Sequence, residues 1–168
     1  MLNQTSIDKA FSKFKPESCV FVISVDKKGK PNGMVCGWQM KVSEEPALFA
    51  VSLSKKGNTQ RLIRQSKEFV VAVPNKGLEK EVKFFGSTHG DKIDKFKESE
   101  IATLKAKHVK PPLIKKATIN FECGLWKTVD AGECYIFIGK ILAAYSDEKK
   151  KVLLNMKGPR EKRTFKEF

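Results

Sequence analysis

Histidine is almost missing from this chain: His89 and His108 are the only two among 168 residues. Neither has a second histidine or a carboxylate at ligand spacing, which argues against a metal centre. Cysteine is sparse too, and Cys19, Cys36, Cys123 and Cys134 form no C-x-x-C pair. All four lie in or beside apolar segments, so they read as reduced, buried thiols, and a cytoplasmic protein is expected. No histidine lies near Cys36 in sequence, so it reads as a packing or ligand-contact residue rather than a nucleophile. No apolar run approaches the roughly 18 residues that span a bilayer. The first eight residues carry an acid and no apolar stretch, unlike a secretory signal. With no repeat, low-complexity tract or linker, one domain over 1–168 is expected, with a core at 16–145 and a charged tail at 146–168.

Basic charge is what the chain has in excess. Lys and Arg number 33 against 19 Asp and Glu, a net +14. Lysines are spread through every loop, with one tight cluster at Lys149-Lys150-Lys151. Such a field attracts anions, including nucleotides and phosphate-bearing cofactors. A basic barrel that binds nucleic acid without catalysis is therefore the alternative function. It would need a stripe of arginines and exposed aromatics on one sheet face, whereas here the aromatics fall mostly on apolar alternations.

The pattern of apolar residues is that of strands. Cys19–Val25 is a continuous β-branched and aromatic run, and Asp26–Lys30, with Gly29, makes a hairpin turn. Pro31–Trp38 returns, and Pro46–Leu53 and Glu68–Val73 follow as further strands. Ala117–Trp126 and Cys134–Tyr145 close the set around a turn at Asp130–Gly132. Helices are expected at 5–14 (Ile7, Ala10, Phe11 and Phe14 on one face), at 59–67 with Asn58 as N-cap and Leu62 and Ile63 inward, and at 78–85 and 91–98. Residues 101–112 lack a pattern and read as a surface loop. Val152–Leu154 could pair with another element, and the last dozen residues read as loose. Six strands without βαβ alternation indicate a closed or half-open antiparallel barrel.

Glycines inside a strand weaken it unless another group must approach the backbone closely. The return strand has Gly33 and Gly37, the second beside Trp38, as for a flat ring lying against main chain. Ser52-Leu-Ser54, Lys55, Lys56, Gly57, Asn58 and Thr59 put small hydroxyls and cations before a helix N-terminus, where free N–H groups favour a phosphate. Gly86-Ser-Thr-His-Gly90 offers further donors, with His89 read as a surface or ligand-edge residue. Trp38 and Trp126, taken alone, read as core aromatics, the default for Trp on a strand.

These blocks together resemble a known family. Gly29–Trp38, Val42-Ser43, Pro46, Val51–Ser54, Thr59, Leu62-Ile63, Glu68–Val71, Gly86–Gly90, Asp94-Lys-Phe96, Phe121–Cys123 and Gly132–Gly139 are similar, in order, to the flavin reductase-like FMN-binding split barrel, with flavoredoxin-like members. The resemblance implies a mainly β split barrel with short peripheral helices that binds FMN and acts as an oxidoreductase and homodimer. It places Met34, Val35, Cys36, Gly37 and Trp38 along the isoalloxazine ring and counts Asn32 among the cofactor-binding residues. Ser52, Leu53, Ser54 and Thr59 would hold ribityl and phosphate, Ser87, Thr88 and His89 would complete the cradle, and Lys95 and Phe96 would approach the cofactor. Two departures stand out. Met34–Trp38 lacks the hydroxyls of the family's Met-Thr-x-Ser-Trp, and Gly132-Glu-Cys134 replaces the Gly-Asp-His of nicotinamide-using members. The donor is therefore either NAD(P)H or a low-potential acidic carrier such as ferredoxin or flavodoxin, and the second departure favours the carrier.

Overall fold

The computed structural model describes residues 1–158 and 163–168. A short helix, α1 (Ile7–Lys13), precedes β1 (Glu17–Ser18), β2 (Val20–Val25), β3 (Pro31–Cys36), β4 (Gln39–Ser43) and β5 (Leu48–Ser54). Helix α2 (Asn58–Ser66), β6 (Glu68–Val73), a 3₁₀ turn (Lys76–Leu78), α3 (Glu79–Ser87) and α4 (Lys95–Ser99) follow. The chain ends with β7 (Thr103–Leu104), β8 (Leu113–Ile114), β9 (Ile119–Ala131), β10 (Cys134–Ser146), β11 (Leu153–Lys157) and β12 (Thr164–Glu167). Seven strands form one antiparallel sheet in the order β3-β2-β6-β9-β10-β5-β4.

The edges of that sheet meet because Gly37 and Trp38 carry β3 directly into β4. The Ser52 N–H donates to the Trp38 carbonyl at 2.9 Å, and the Cys36 thiol donates to the Trp38 and Ser52 carbonyls at 3.1 and 3.4 Å. The result is a split barrel of mostly β structure.

Both faces of β2 and β6 are buried, which explains why Val20–Ile23 and Phe69–Val73 are apolar at every position. Val20 and Val22 of β2 and Phe69 and Val71 of β6 face the barrel interior with Phe49, Val51, Leu53, Cys123 and Phe137. Phe21, Ile23, Val70 and Ala72 face outward into a second core with Leu78, Val82, Phe85 and Ile114. Gly139 is needed inside: a Cβ there would stand 2.5 Å from the Phe69 ring and 2.8 Å from Cys123. The Asp26–Lys30 hairpin forms as expected, with Gly29 at φ +81° and Asp26 Oδ1 accepting from the Lys28 and Lys30 N–H groups at 2.8 and 2.9 Å.

Several expectations are corrected. Residues 101–112 are not a surface loop, because Ile101, Ala106 and Val109 are buried in the outer core. The cause is Glu122, fully buried on β9, whose carboxylate accepts the N–H groups of Lys107, His108 and Val109 at 2.9, 2.6 and 3.2 Å and the Tyr145 hydroxyl at 2.7 Å. The tail is not loose over its described part: β11 pairs with β1 and β12 pairs with β11, while residues 159–162 lie outside the described residues. Helix α2 is preceded by Gly57 as N-cap, and Asn58 is its first residue. Trp38 and Trp126 are not core aromatics; each is 57% exposed. Among the described residues no helix is long and apolar enough to cross a membrane.

Candidate functional site

A cleft of about 410 Å³ opens where β3, the β5–α2 turn, the end of α3 and the segment before α4 converge. Strand β3 supplies its floor through Asn32, Met34 and Val35. Asn32 joins the elements: its Nδ2 donates to Thr59 Oγ1 at 3.0 Å, and Gly90 packs directly on it. A Cβ on Gly90 would fall 1.7 Å from Asn32 Oδ1, so only glycine allows the 88–91 segment to lie down on β3.

One end of the cleft is a cradle for an anion. Ser54, Lys56, Gly57, Asn58 and Thr59 line it. Helix α2 begins there with no side-chain cap and no acidic residue in its first turn. The first N–H groups of a helix have no partner within it, and the helix dipole adds partial positive charge. The turn itself is fixed, since Gln60 Nε2 donates to the Lys55 carbonyl at 2.8 Å and the Lys55 N–H to the Glu133 carbonyl at 3.0 Å. Thr88, His89 and Asp91 stand across from it.

Lys95 is the buried cation of the site, only 4% exposed. Its Nζ donates to the carbonyls of Gly33 at 3.1 Å and Phe85 at 2.9 Å, tying β3 to α3 beside the cleft. Burial lowers its pKa from 10.5 to about 8, opposed weakly by Asp91. Behind it the rings of Phe21, Phe85 and Phe96 pack edge to face at 5.4 and 5.3 Å.

The structure thus brings Asn32, Met34, Val35, Ser54, Thr59, Thr88, His89 and Lys95 to one cleft. The other candidate residues do not line it. Cys36 and Leu53 point into the barrel, and Phe96 packs behind Phe85. Ser52 serves the β4–β5 closure. The Ser87 hydroxyl donates to the Lys83 carbonyl at 2.9 Å. Gly37 lies against Glu17, whose Oε1 would be 3.3 Å from a Cβ there. Trp38 turns outward onto Phe11, with centroids 6.4 Å apart. Cys36 and Trp38 are two residues apart, yet they face opposite ways, because strand alternation ends at the bend between β3 and β4.

Sequence reasoning did not single out Phe85, Asp91 and Arg163 as site residues, although all three line the cleft. Asp91 adjoins a recognised segment, whereas nothing in the sequence pointed to Arg163. Burial pushes the Cys19 thiol up to about 11 and the Cys36 and Cys123 thiols up to about 12, so these sulfurs are protonated and inert near neutrality.

The residues fit a flat cofactor with a phosphate: hydroxyls, cations and helix N–H groups at one end, glycine-bearing main chain along the floor. Comparisons with known proteins identify the family. The family model described as flavin reductase like domain matches residues 16–162. A protein of Archaeoglobus fulgidus is 37% identical over 113 residues, covering 67% of this chain and 64% of the relative. The high molecular weight rubredoxin of Moorella thermoacetica is 30% identical over 130 residues, 74% of this chain and 54% of that one. The match therefore spans less than two thirds of either relative. Among solved structures, the flavoredoxin of Methanosarcina acetivorans superposes with a TM-score of 0.84 at 26% identity, over 99% of this chain and 92% of that one.

Proposed function

Because this chain belongs to the flavin reductase-like domain family, we propose that its cleft binds FMN and that the protein passes electrons through the bound flavin. The observation that carries this reading is the uncapped N-terminus of α2, opening onto the same cleft as the glycine-bearing floor of β3. When bound, FMN supplies the hydride and electron-transfer chemistry, and the protein supplies orientation and electrostatics. The hydroxyls of Ser54 and Thr59, Lys56 and the first N–H groups of α2 hold the phosphate. The main chain of Gly33–Val35 supports the ring, Asn32 joins that floor to the phosphate end through Thr59, Thr88 and His89 close the cradle, and Lys95 keeps a positive charge beside it. A terminal phosphate in that cradle favours FMN over riboflavin, and over FAD, whose phosphates are esterified.

The working unit is a homodimer. Trp38, Met40 and Val42 alternate along the outer edge of the barrel, all exposed, beside the exposed Phe11 and Phe14. A second subunit covering them would account for Trp38, which the family resemblance assigns to the ring, standing outside the cleft of its own subunit. The hollow lined by Phe11, Phe14 and Trp38 also holds Pro16, Glu17, Ser18 and Gln39 and, among the described residues, no arginine, which suits a protein interface better than nucleic acid. Four free, buried cysteines fit the cytoplasm.

The donor follows from position 134. Cys134 is buried and offers no imidazole at the place where the nicotinamide-using relatives carry histidine. A low-potential acidic carrier is therefore favoured over NAD(P)H, and the net charge of +14 would steer it. Two experiments test the reading. Apo-protein should quench added FMN fluorescence more strongly than FAD or riboflavin, and a colourless protein that quenches none refutes FMN binding. Flavin bleaching by reduced ferredoxin should outpace bleaching by NADH and slow with salt; salt-insensitive bleaching by NADH alone refutes the donor.

A further inference from the structure

The C-terminal hairpin delivers an arginine to the cleft that no other feature of the chain announces. Strand β11 is held by β1, through the pairs Glu17–Asn155 and Ser18–Leu154, and by Leu153, which is fully buried in the outer core. Strand β12 is fastened to the 3₁₀ turn and α3: the Lys76 N–H of the turn donates to Glu167 Oε1 at 2.8 Å, and Lys83 Nζ of α3 lies 5.8 Å from the Phe165 ring centroid. The Phe168 N–H closes the hairpin onto the Val152 carbonyl at 3.0 Å. Arg163, immediately before β12, is thereby set against the cleft wall. Its Nη1 is 3.6 Å from where a Cβ on Gly86 would be, and that same point is 3.8 Å from Val35 Cβ. The missing side chain at Gly86 is the space that the guanidinium overlooks.

The position along β3 decides which part of a ligand Arg163 meets. Asn32 marks the phosphate end through its bond to Thr59. Val35 lies three residues further along the strand, roughly 10 Å at about 3.3 Å per residue. That is about the separation of the phosphate from the ring in FMN. Arg163 is therefore at the ring end, while Lys56 and α2 serve the phosphate end.

We propose that Arg163 is a ring-contacting residue whose guanidinium favours the reduced flavin over the oxidised one. The inference rests on the FMN reading above. Reduction of the bound ring by two electrons with uptake of one proton leaves one added negative charge, spread over N1 and the adjacent carbonyl. A planar, permanently charged donor set matches that edge, and it attracts the anion more than the neutral oxidised ring. The ring edge rather than the phosphate is thus the partner of Arg163.

The test compares wild type, Arg163→Gln and Arg163→Lys in two measurements: oxidised FMN affinity by fluorescence quenching of apo-protein, and the two-electron midpoint potential of the bound flavin. Arg163→Gln should change oxidised affinity less than threefold but weaken reduced-flavin binding about tenfold relative to oxidised, lowering the potential by about 30 mV. Arg163→Lys should recover at least half of that difference. A potential in Arg163→Gln equal to wild type, or an equal loss of oxidised and reduced affinity, overturns the proposal while leaving FMN binding intact. Wild-type protein that quenches no FMN overturns both readings together. Thermal unfolding of each variant confirms that the hairpin remains folded.

Discussion

Lys95→Met is the substitution whose consequences can be worked furthest. In the folded protein burial holds the Lys95 pKa near 8, against 10.5 for an ordinary lysine. Between these values the unfolded chain keeps the proton that the folded chain releases, so the folded state gains stability as pH rises. This contribution is complete above 10.5 and is lost as pH falls through about 8. The gap of 10.5 − 8 sets a ceiling of about 3.4 kcal/mol, at roughly 1.36 kcal/mol per pH unit. The variant removes the titration but leaves the Gly33 and Phe85 carbonyls without their donor, a cost of about 1–3 kcal/mol each if water does not replace it. Urea unfolding of the flavin-free protein at pH 7, 8.5 and 10 measures both effects. Wild-type stability should climb relative to the variant by about 2–3 kcal/mol across that range. The many surface lysines titrate in both proteins, so they cancel in the difference. FMN affinity should also fall above pH 8 in wild type and stay flat in the variant, because a phosphate prefers the protonated amine. Stability–pH curves that run parallel in the two proteins would refute the account of Lys95 as a desolvated cation.

Three further outcomes are expected. Glu122→Gln should destabilise by about 3–5 kcal/mol, or about 10 °C in Tm, because an amide confronts three N–H donors that the carboxylate accepts. Burial raises the Glu122 pKa, but the hydrogen bonds from Lys107, Tyr145, His108 and Val109 together outweigh it and hold it below the ordinary range, so its contribution is present above the ordinary carboxylate pKa and is lost as pH falls through the lowered value. Melting curves from pH 7 to 3 should show that acid sensitivity reduced in the variant. Gly90→Ala should weaken FMN at least tenfold in a quenching titration with little change in Tm, since the 88–91 segment must lift off Asn32. Trp38→Ala should weaken both flavin binding and self-association by light scattering, whereas Trp126→Ala should spare flavin; equal flavin losses would mean that Trp38 is remote from the ring.

Much of this protein was determined locally by its sequence. The runs at 20–23 and 69–73 declared buried strands because both of their faces are covered, so no polar residue interrupts them. The Asp26–Lys30 turn and the inward pair Leu62 and Ile63 were equally legible, since turn chemistry and helical spacing act over a few residues. The ordered blocks from Gly29 to Gly139 carried the family and, with it, the expected cofactor. Only the tertiary structure decided how segments far apart in sequence meet. Strand alternation predicted one face for Cys36 and Trp38, but it holds only within a strand, and the bend at Gly37 sends one into the barrel and the other to solvent. Residues 101–112 have no periodicity of their own; a carboxylate at position 122 orders them through their backbone N–H groups, which composition does not show. Arg163 could not be read as a site residue, because its place depends on a hairpin pinned to β1 and α3, more than a hundred residues and about eighty residues away in the chain. Local pattern records whether a side chain is buried, whereas a site depends on which distant backbones approach, and that is settled only when the whole core packs.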